Sequence, residues 1–387
     1  MKKVYIFLTA ICLVALTGCI KEDVDLTQAN VSMSISTRAE LSSSSEQGDA
    51  IGDINVWAFA CDAQGNVSSD KAVAWRRISA ANTHTSVDVH LQFATCDDEA
   101  DHYYKLVAVI NEGEFGTVSG ITSFDRNTTY SQLANAKFQA TELMAIPPGN
   151  GAGSTPGQMP ISHWKVITLN KSNNGSTHPD CVEVSMPVYR AVAKTQLFVA
   201  KTDASTNLVI KNVTIGSSAF PKEGVLLSAA EGTTNTDNTA GDFDGNGATT
   251  PMWYFNSVTS NNKTENIFSS TEGQSITKVL SKDAHASAKM DAFDYVTSHF
   301  LYENKGGSTV WNTASTDGGY CMNVTYDITP DTANDDKTDS VWLPAVVRNH
   351  DYQVRALVDK SGANLSLVIT INPWNYRDVT YPNTPLT

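Results

Sequence analysis

Residues 87–93 read Val-Asp-Val-His-Leu-Gln-Phe, so apolar and polar side chains alternate along the chain. The same alternation occurs at Val31, Met33 and Ile35, which are separated by serines, and again in residues 365–371. Successive side chains of a β-strand point to opposite faces of a sheet, so this alternation predicts strands that are buried on one face. The three stretches predict a protein made mainly of half-buried β-strands.

The rest of the chain extends this pattern. Runs rich in β-branched and aromatic residues predict further strands at 54–60, 104–110, 183–188, 194–201, 207–215, 320–327 and 351–358. Short helices are predicted at 130–142 and 286–294, and long polar loops at 147–160, 170–178, 231–250 and 258–275. Many short strands separated by turns predict β-sandwiches. A chain of 387 residues has room for two, and the exposed composition of 170–178 places their boundary near 180.

The N-terminus predicts export and lipid attachment. Lys2 and Lys3 precede an apolar run over residues 4–16, which is followed by Leu-Thr-Gly-Cys ending at Cys19. A positive start and a short apolar run are typical of a secretory signal, and the run is too short to span a bilayer. Its end resembles the bacterial lipobox, which implies cleavage before Cys19 and acylation of that residue. Residues 20–23, Ile-Lys-Glu-Asp, resemble the surface-export signal of Bacteroidia lipoproteins.

The charge of the chain argues against two classes of partner. The formal net charge is −14, and no cluster of Lys and Arg interrupts the acidic surface. Such a surface repels phosphate backbones and anionic lipids. We therefore expect neither nucleic-acid binding nor electrostatic binding to a membrane.

Four of the six cysteines remain available for disulfides. Cys12 leaves with the signal peptide and Cys19 carries the lipid, whereas the others enter a compartment that permits disulfides. The remaining residues are Cys61, Cys96, Cys181 and Cys321. Four cysteines allow three complete pairings, and the sequence does not choose between them. A bridge between Cys61 and Cys96 is favoured because each ends a strand-like run.

Several segments, taken in order, resemble the fimbrillin superfamily, the type V pilins of Bacteroidia. They are the lipobox at Cys19, Val31-Ser-Met-Ser-Ile-Ser-Thr-Arg38-Ala39, Ile54-Asn-Val-Trp-Ala-Phe with the turn Asp62-Ala-Gln-Gly-Asn, Tyr104-Lys-Leu-Val-Ala-Val-Ile-Asn111, Met186-Pro-Val-Tyr-Arg-Ala-Val-Ala-Lys194, Arg348-Asn-His-Asp-Tyr-Gln-Val354 and Asn372-Pro-Trp374-Asn. Residues 225–310 match none of the family's motifs and resemble an elaboration specific to this chain. The resemblance implies two tandem β-sandwiches of the transthyretin-like kind, with short helices and long loops.

The resemblance also implies how such subunits assemble. An arginine-specific protease would cut after Arg38, which precedes a serine run that we expect to be accessible, and Ala39 would become the new N-terminus. The strand that contains Val31, Met33 and Ile35 would then leave with the propeptide. A sandwich that lacks a strand exposes an apolar groove and unpaired backbone groups, which a strand from a neighbouring subunit can fill.

The predicted donor of that strand is the C-terminal tail of another subunit. Its side chains Tyr376, Val379, Tyr381 and Leu386 would enter the pockets of the groove. The resulting division of the chain is a signal peptide at 1–18, a lipidated propeptide with the first strand at 19–38, an N-terminal β-sandwich at 39–180, a C-terminal β-sandwich at 181–374 and a donor-strand tail at 375–387.

Two short segments match the O-glycosylation pattern of Bacteroidia. Asp331-Thr-Ala and Asp339-Ser-Val each combine an acid, a hydroxyl residue and a small apolar residue, so Thr332 and Ser340 are the predicted sites. A modification there would solvate the surface.

The predicted function is that of a structural fimbrial subunit that supports cell adhesion. The lipidated precursor would sit in the outer membrane and then pass into a cell-surface fimbrium, with other pilin subunits and an arginine-specific protease as partners. Stalk and tip or accessory roles stay open, and the sequence names no receptor. No phosphate-binding loop, dinucleotide motif, nucleophile motif or metal-ligand spacing of histidines is present, so we expect no enzyme activity, cofactor or metal.

Two alternatives remain. A monomeric surface lipoprotein could bind glycans by stacking sugars on some of the seven tryptophans. A hydrolase with dispersed carboxylates would leave no local motif.

Overall fold

The computed structural model describes residues 28–37, 51–83, 87–94, 100–140, 159–170, 181–227, 260–304, 306, 318–328, 336–359 and 365–373. Its strands are β1 (Gln28–Thr37), β2 (Ile51–Cys61), β3 (Ala74–Thr83), β4 (Val87–Ala94), β5 (His102–Ile110), β6 (Thr117–Val118), β7 (Lys137–Gln139), β8 (Ile161–Leu169), β9 (Cys181–Arg190), β10 (Ala193–Lys201), β11 (Val209–Pro221), β12 (Gly224–Val225), β13 (Ser260–Ser275), β14 (Asp294–Leu301), β15 (Cys321–Asp327), β16 (Lys337–Trp342), β17 (His350–Val358) and β18 (Leu365–Pro373). The α-helix is α1 (Tyr130–Asn135), and 3₁₀ turns cover Glu112–Phe115, Lys282–Ser287 and Met290–Ala292.

The predicted mainly β fold is confirmed. All ten stretches predicted as strands are present, as β1, β2, β4, β5, β9, β10, β11, β15, β17 and β18. The strands form two four-stranded sheets, one seven-stranded sheet and one small three-stranded sheet. Among the helices that the structure describes, none has both the length and the apolar composition needed to cross a membrane.

The first sandwich is a single sheet with the strand order β3-β2-β5-β8-β9-β1-β4. We call β3, β2, β5 and β8 the inner leaf, and β9, β1 and β4 the outer leaf. Two residue pairs, Ile161–Arg190 and Ser162–Tyr189, join β8 to β9 at the fold between the leaves. Buried side chains of both leaves form one core, which contains Ile51, Ile54, Val56, Ala58, Ala74, Val89, Leu91, Leu106, Ala108, Ile110, Ile161, Ile167, Leu169, Met186 and Val188.

The opposite face of the inner leaf is buried as well. Trp57 of β2 is fully buried, and its indole Nε1 donates to the carbonyl oxygen of Asp125 at 2.7 Å. Phe124 and Leu133, which belongs to α1, cover the same face. Strands buried on both faces read as nearly continuous apolar runs. This explains why residues 54–60 are apolar almost throughout instead of alternating.

The second sandwich pairs two four-stranded sheets. Their orders are β14-β10-β17-β18 and β13-β11-β15-β16. The core between them includes Leu197, Val199, Ile210, Val213, Ile215, Tyr320, Met322, Val324, Tyr326, Val341, Tyr352, Val354 and Ala356. The side-chain hydroxyl of Thr297 in β14 donates to the carbonyl oxygen of Ile267 in β13 at 2.9 Å, which links the two sheets along one side.

Three sequence predictions of local structure are wrong. Residues 258–275 were expected to form a loop, but β13 occupies Ser260–Ser275. Ile267 is the one buried residue of this strand, and its pairing with β11 shifts register three times, so the sequence lacks an alternating pattern. The helix predicted at 130–142 ends at Asn135, because β7 pairs with the distant strands β6 and β12. The helix predicted at 286–294 is replaced by 3₁₀ turns and the start of β14.

Candidate functional site

Strand β1 lies in the interior of the outer leaf. It pairs antiparallel with β4 from Gln28–Ala94 to Ile35–Val87, and parallel with β9 from Asn30–Cys181 to Thr37–Val188. Its register sets Val31 and Met33 directly opposite Leu91 and Val89. Both of these β4 residues are buried in the core of the first sandwich. An interior strand of this kind is held by backbone hydrogen bonds along both of its edges.

The two neighbours of β1 depend on it for their own pairing. Within the described residues, β4 forms a ladder with β1 alone. Residues 181–188 of β9 likewise form a described ladder with β1 alone, because β8 pairs only with Tyr189 and Arg190. The first strand therefore supplies the backbone partners of nearly the whole outer leaf.

Strand β10 occupies the equivalent position in the second sandwich. It pairs antiparallel with β14 and parallel with β17, as β1 pairs antiparallel with β4 and parallel with β9. The chain enters β10 directly from β9 through Ala191 and Val192, which are both buried. Beyond β17, strand β18 forms the end of its sheet and pairs with β17 over its full length.

A buried arginine connects the two halves of the molecule, which contain the first and the second sandwich respectively. Arg348 precedes β17 in the chain, and its side chain is 2% exposed. Its Nη2 donates to the carbonyl oxygen of Val225 at 2.6 Å and to Oε2 of Glu303 at 2.7 Å, and its Nη1 donates to the carbonyl oxygen of Leu226 at 3.2 Å. Val225 lies in β12, which pairs with Lys137 of β7. The guanidinium thus binds the segment that contains β12, the strand at one end of the small three-stranded sheet β12-β7-β6.

Asn349 forms the second part of this junction. Its backbone adopts a φ of 58°, and its N–H donates to the carbonyl oxygen of Val192 at 2.8 Å. Its side-chain Oδ1 accepts from the backbone N–H of Arg190 at 3.3 Å. Asparagine tolerates the left-handed conformation better than most residues, and its amide can bond locally there. The two motifs around Arg190 and Arg348, which are remote in sequence, therefore meet at the end of β9.

Close packing completes the junction. Gly224 pairs with Phe138, and a Cβ atom at Gly224 would lie 2.6 Å from the phenyl ring of Phe138. Glycine is therefore required at this position by the close approach of the two strands. The ring of Phe138 contacts that of Tyr302 edge-on, at 5.6 Å between centroids. The Tyr302 hydroxyl also accepts from the backbone N–H of Ala140 at 2.9 Å.

Most of the predicted site residues lie outside the described residues. These are Cys19, Arg38, Ala39, Cys96, Thr332, Tyr376, Val379, Tyr381 and Leu386. Two described strands end close to some of these residues. Strand β1 ends one residue before Arg38, and β18 ends at Pro373, two residues before the predicted tail. The roles of the nine residues stay predictions.

Two predicted site residues are described. Cys61 is half-buried at the end of β2, where it pairs with Tyr103 of β5. Ser340 is exposed in β16, and its hydroxyl donates to Oδ1 of Asn323 at 2.7 Å. The disulfide and the glycosylation remain predictions.

Solved structures that are similar to this chain include fimbrial proteins. The tip fimbrial protein Mfa3 from Porphyromonas gingivalis, with a C-terminal truncation, is 10% identical over 90% of this chain and 100% of its own, with a TM-score of 0.48. A fimbrial protein from Bacteroides vulgatus is 12% identical over 89% of this chain and 99% of its own, with a TM-score of 0.45. A fimbrial assembly protein from Parabacteroides distasonis is 11% identical over 88% and 95%, with a TM-score of 0.43.

No protein-family model matches the sequence, and no curated protein sequence matches it. At these identities, the likeness to the fimbrial proteins named above is one of fold.

A cavity of about 420 Å³ lies between the end of β7 and strands β11, β13 and β14. Three side chains of its lining, those of Lys263, Glu265 and His299, contact one another. His299 Nε2 lies 3.0 Å from Oε2 of Glu265, and the Lys263 ammonium pairs with the other oxygen of the same carboxylate. The hydrogen bond from His299 lowers the pKa of Glu265 to about 2, so this carboxylate is charged at neutral pH. Tyr302, which contacts Phe138 at the junction, lines the same cavity.

Sequence reasoning missed part of the junction. Residues 225–310 resembled none of the family's motifs, yet Val225 and Glu303, near its two ends, both bind Arg348. A signal was present, because a buried arginine needs an acidic partner and Glu303 follows the apolar residues 300–302. The sequence did not show which arginine is buried.

We predict that Arg348→Met destabilises the protein by about 3–5 kcal/mol, because it leaves Glu303 and two buried carbonyl oxygens without their charged partner. Urea denaturation of the purified protein measures this loss. Lys282→Met is the matched control, since the Lys282 side chain is 65% exposed and pairs with Asp359 on the surface. It should cost less than about 1 kcal/mol. Equal losses in the two variants would contradict the buried junction.

A second prediction concerns His163 of β8, which is buried edge-on against Tyr189. Burial lowers the pKa of His163 from 6.5 to about 3, with a further contribution from the charge of Arg348. Below pH 6.5 the unfolded chain binds a proton that the folded chain accepts only near pH 3. The free energy of unfolding should therefore fall across this window, by at most about 1.4 kcal/mol per pH unit from this residue. His163→Gln should show a shallower decline in urea titrations from pH 7 to 3, and parallel curves for the two proteins would refute the assignment.

Proposed function

We propose that this chain is a structural, non-catalytic subunit of a surface fimbria that supports cell adhesion and polymerises by donor-strand exchange. One observation carries the proposal. Strand β1 is an interior strand of the outer leaf, and it ends at Thr37, one residue before Arg38. A cut after Arg38 would separate the whole of β1 from the rest of the fold without dividing any other described strand. Hydrolysis of the Arg38–Ala39 peptide bond by an arginine-specific protease consumes water and needs no cofactor.

The slot that β1 occupies suits an exchanged strand. Its two edges are the backbones of β4 and β9, and buried apolar residues of those strands, Val89, Leu91, Met186 and Val188, lie in the core beneath it. A foreign strand could satisfy both edges through main-chain hydrogen bonds and gain affinity from the apolar floor. Recognition through the backbone tolerates different donor sequences, so related subunits could share one fibre.

The proposed donor is the C-terminal tail at 375–387. Strand β18 completes the edge of the second sandwich and ends at Pro373, so the tail follows a finished sheet. Side chains at Tyr376, Val379, Tyr381 and Leu386 would contact the core of the next subunit. The junction formed by Arg348 and Asn349 would hold the two sandwiches together and so connect acceptor slot and donor tail within each subunit.

The proposed maturation begins in the outer membrane. Cleavage before Cys19 and acylation of this residue would anchor the precursor, and residues 20–23 would direct it to the cell surface. Removal of 19–38 would transfer the mature subunit to the fibre. The division of the chain would follow the hydrogen bonding, with β9 in the first sandwich and the boundary at residues 191–192, later than the predicted position near 180.

A monomeric glycan-binding lipoprotein is the weaker interpretation. Of the seven tryptophans, Trp57 is fully buried and bonded to Asp125, and Trp164 packs in the same cluster. At the described cavity, Lys263 and His299 both pair with Glu265. These contacts favour packing roles over sugar stacking.

We predict that Arg38→Lys yields an uncut precursor that forms no fibres, because an arginine-specific protease does not cleave after lysine while the charge is preserved. Mass spectrometry of surface protein and electron microscopy of fibres provide the measurements. Arg77→Lys is the control, since the Arg77 side chain is 45% exposed in β3 and lies outside the proposed cleavage segment. Normal fibres from the Arg38→Lys strain would refute cleavage at this position.

Deletion of 375–387 should leave a folded monomer that cannot extend a fibre. Its melting temperature should match that of the intact monomer, because a donor tail packs only in another molecule. The deleted subunit should still accept a tail and so cap one end of a fibre. A variant with the tail replaced by Gly and Ser of equal length keeps the chain length and should behave like the deletion. A clear fall in melting temperature would instead place the tail inside its own sandwich.

A further inference from the structure

We propose that cleavage at Arg38 does not empty the slot: the cut β1 stays bound in the outer leaf, and an incoming strand displaces it. This inference rests on the proposed function and concerns the step between cleavage and polymerisation. A simple release mechanism would instead expel β1 when the Arg38–Ala39 bond is hydrolysed.

The pairing of β1 argues against simple release. Eight residue pairs join β1 to β4 and eight join it to β9, and none of them includes Arg38 or a later residue. Hydrolysis of one peptide bond beyond the ladder therefore breaks none of its hydrogen bonds. The cut removes only the covalent tether to β2, and the strand remains a bound peptide.

The neighbours of β1 make an empty slot costly. Strand β4 and residues 181–188 of β9 form no described ladder except with β1. Departure of β1 would leave two facing rows of backbone groups without partners and expose the core around Leu91 and Met186. Unpaired backbone groups beside an apolar core are strongly disfavoured. The outer leaf therefore holds a strand until another one replaces it.

The register shows where replacement can begin. Gln28 and Ala29 pair with β4 only, and Ser36 and Thr37 pair with β9 only. Each end of β1 is thus bonded along one edge, whereas residues 30–35 are bonded along both. The cut frees the Thr37 end, which was tethered to β2. This end is bonded along one edge only, so an incoming strand can displace it first and then replace β1 one residue at a time.

Retention couples release from the membrane to fibre growth. The proposed lipid is attached to Cys19, on the same propeptide as β1. A cut subunit that retains β1 stays at the membrane through the non-covalent contacts of this strand. Displacement by a donor strand then releases the lipidated peptide and adds the subunit to the fibre in one event. Cleavage thus makes release of the lipidated peptide possible, and binding of the donor strand brings this release about.

The test uses the full chain with the serine run at 42–45 replaced by the recognition sequence of a site-specific protease, so that cutting does not depend on arginine specificity. After complete cutting, size-exclusion chromatography and native mass spectrometry should find one propeptide per subunit. A labelled synthetic peptide of residues 28–37 should then enter the subunit and release the propeptide at a rate proportional to its concentration. The same chain left uncut is the control and should take up no labelled peptide.

The outcomes separate the inference from the proposed function. Loss of the propeptide on cutting, without added peptide, would overturn retention and leave strand exchange standing. A propeptide that is retained but not displaced at any concentration of the 28–37 peptide would overturn the displacement step. Displacement by the 28–37 peptide but not by a 375–387 peptide would support retention and contradict the proposed donor tail.

Discussion

A strand inside a sheet must satisfy its backbone hydrogen-bonding groups along both edges, and this constraint governs the outer leaf of the first sandwich. Strand β1 satisfies one edge of β4 and of most of β9, and neither has another described ladder there. The core of the first sandwich depends on this leaf, because Val89, Leu91 and Met186 close it from that side. Strand β1 is therefore central to the sheet, although within the described chain it precedes every other strand.

The two sandwiches repeat this arrangement with one difference. Both β1 and β10 lie between an antiparallel and a parallel neighbour. The chain runs into β10 from β9 through a buried turn, so β10 is covalently fixed at a packed junction. Strand β1 has no such connection on its N-terminal side within the described chain. This contrast gives a physical reason why exchange would concern the first sandwich and not the second.

The junction gives the chain mechanical continuity. Arg348 binds the carbonyl oxygens of Val225 and Leu226, and Asn349 binds the backbone at the end of β9. Strand β9 thus leads from the proposed acceptor slot directly into the contact between the halves. In a fibre held by strand exchange, tension on one subunit would pass through these hydrogen bonds to the next. The buried position of the junction shields it from competing water.

The sequence by itself determined the β architecture, because the period-two alternation at 31–35, 87–93 and 365–371 is a local property of half-buried strands. It also indicated the resemblance to fimbrial proteins, through motifs at Arg190 and Arg348 whose contacts it did not explain. Only the tertiary structure decided that β9 pairs with β1, that the polar segment 260–275 is a strand, and that Arg348 binds both Glu303 and the carbonyl oxygen of Val225. The physical reason is that strand pairing and the burial of a charge depend on partners remote in sequence, which local composition does not encode.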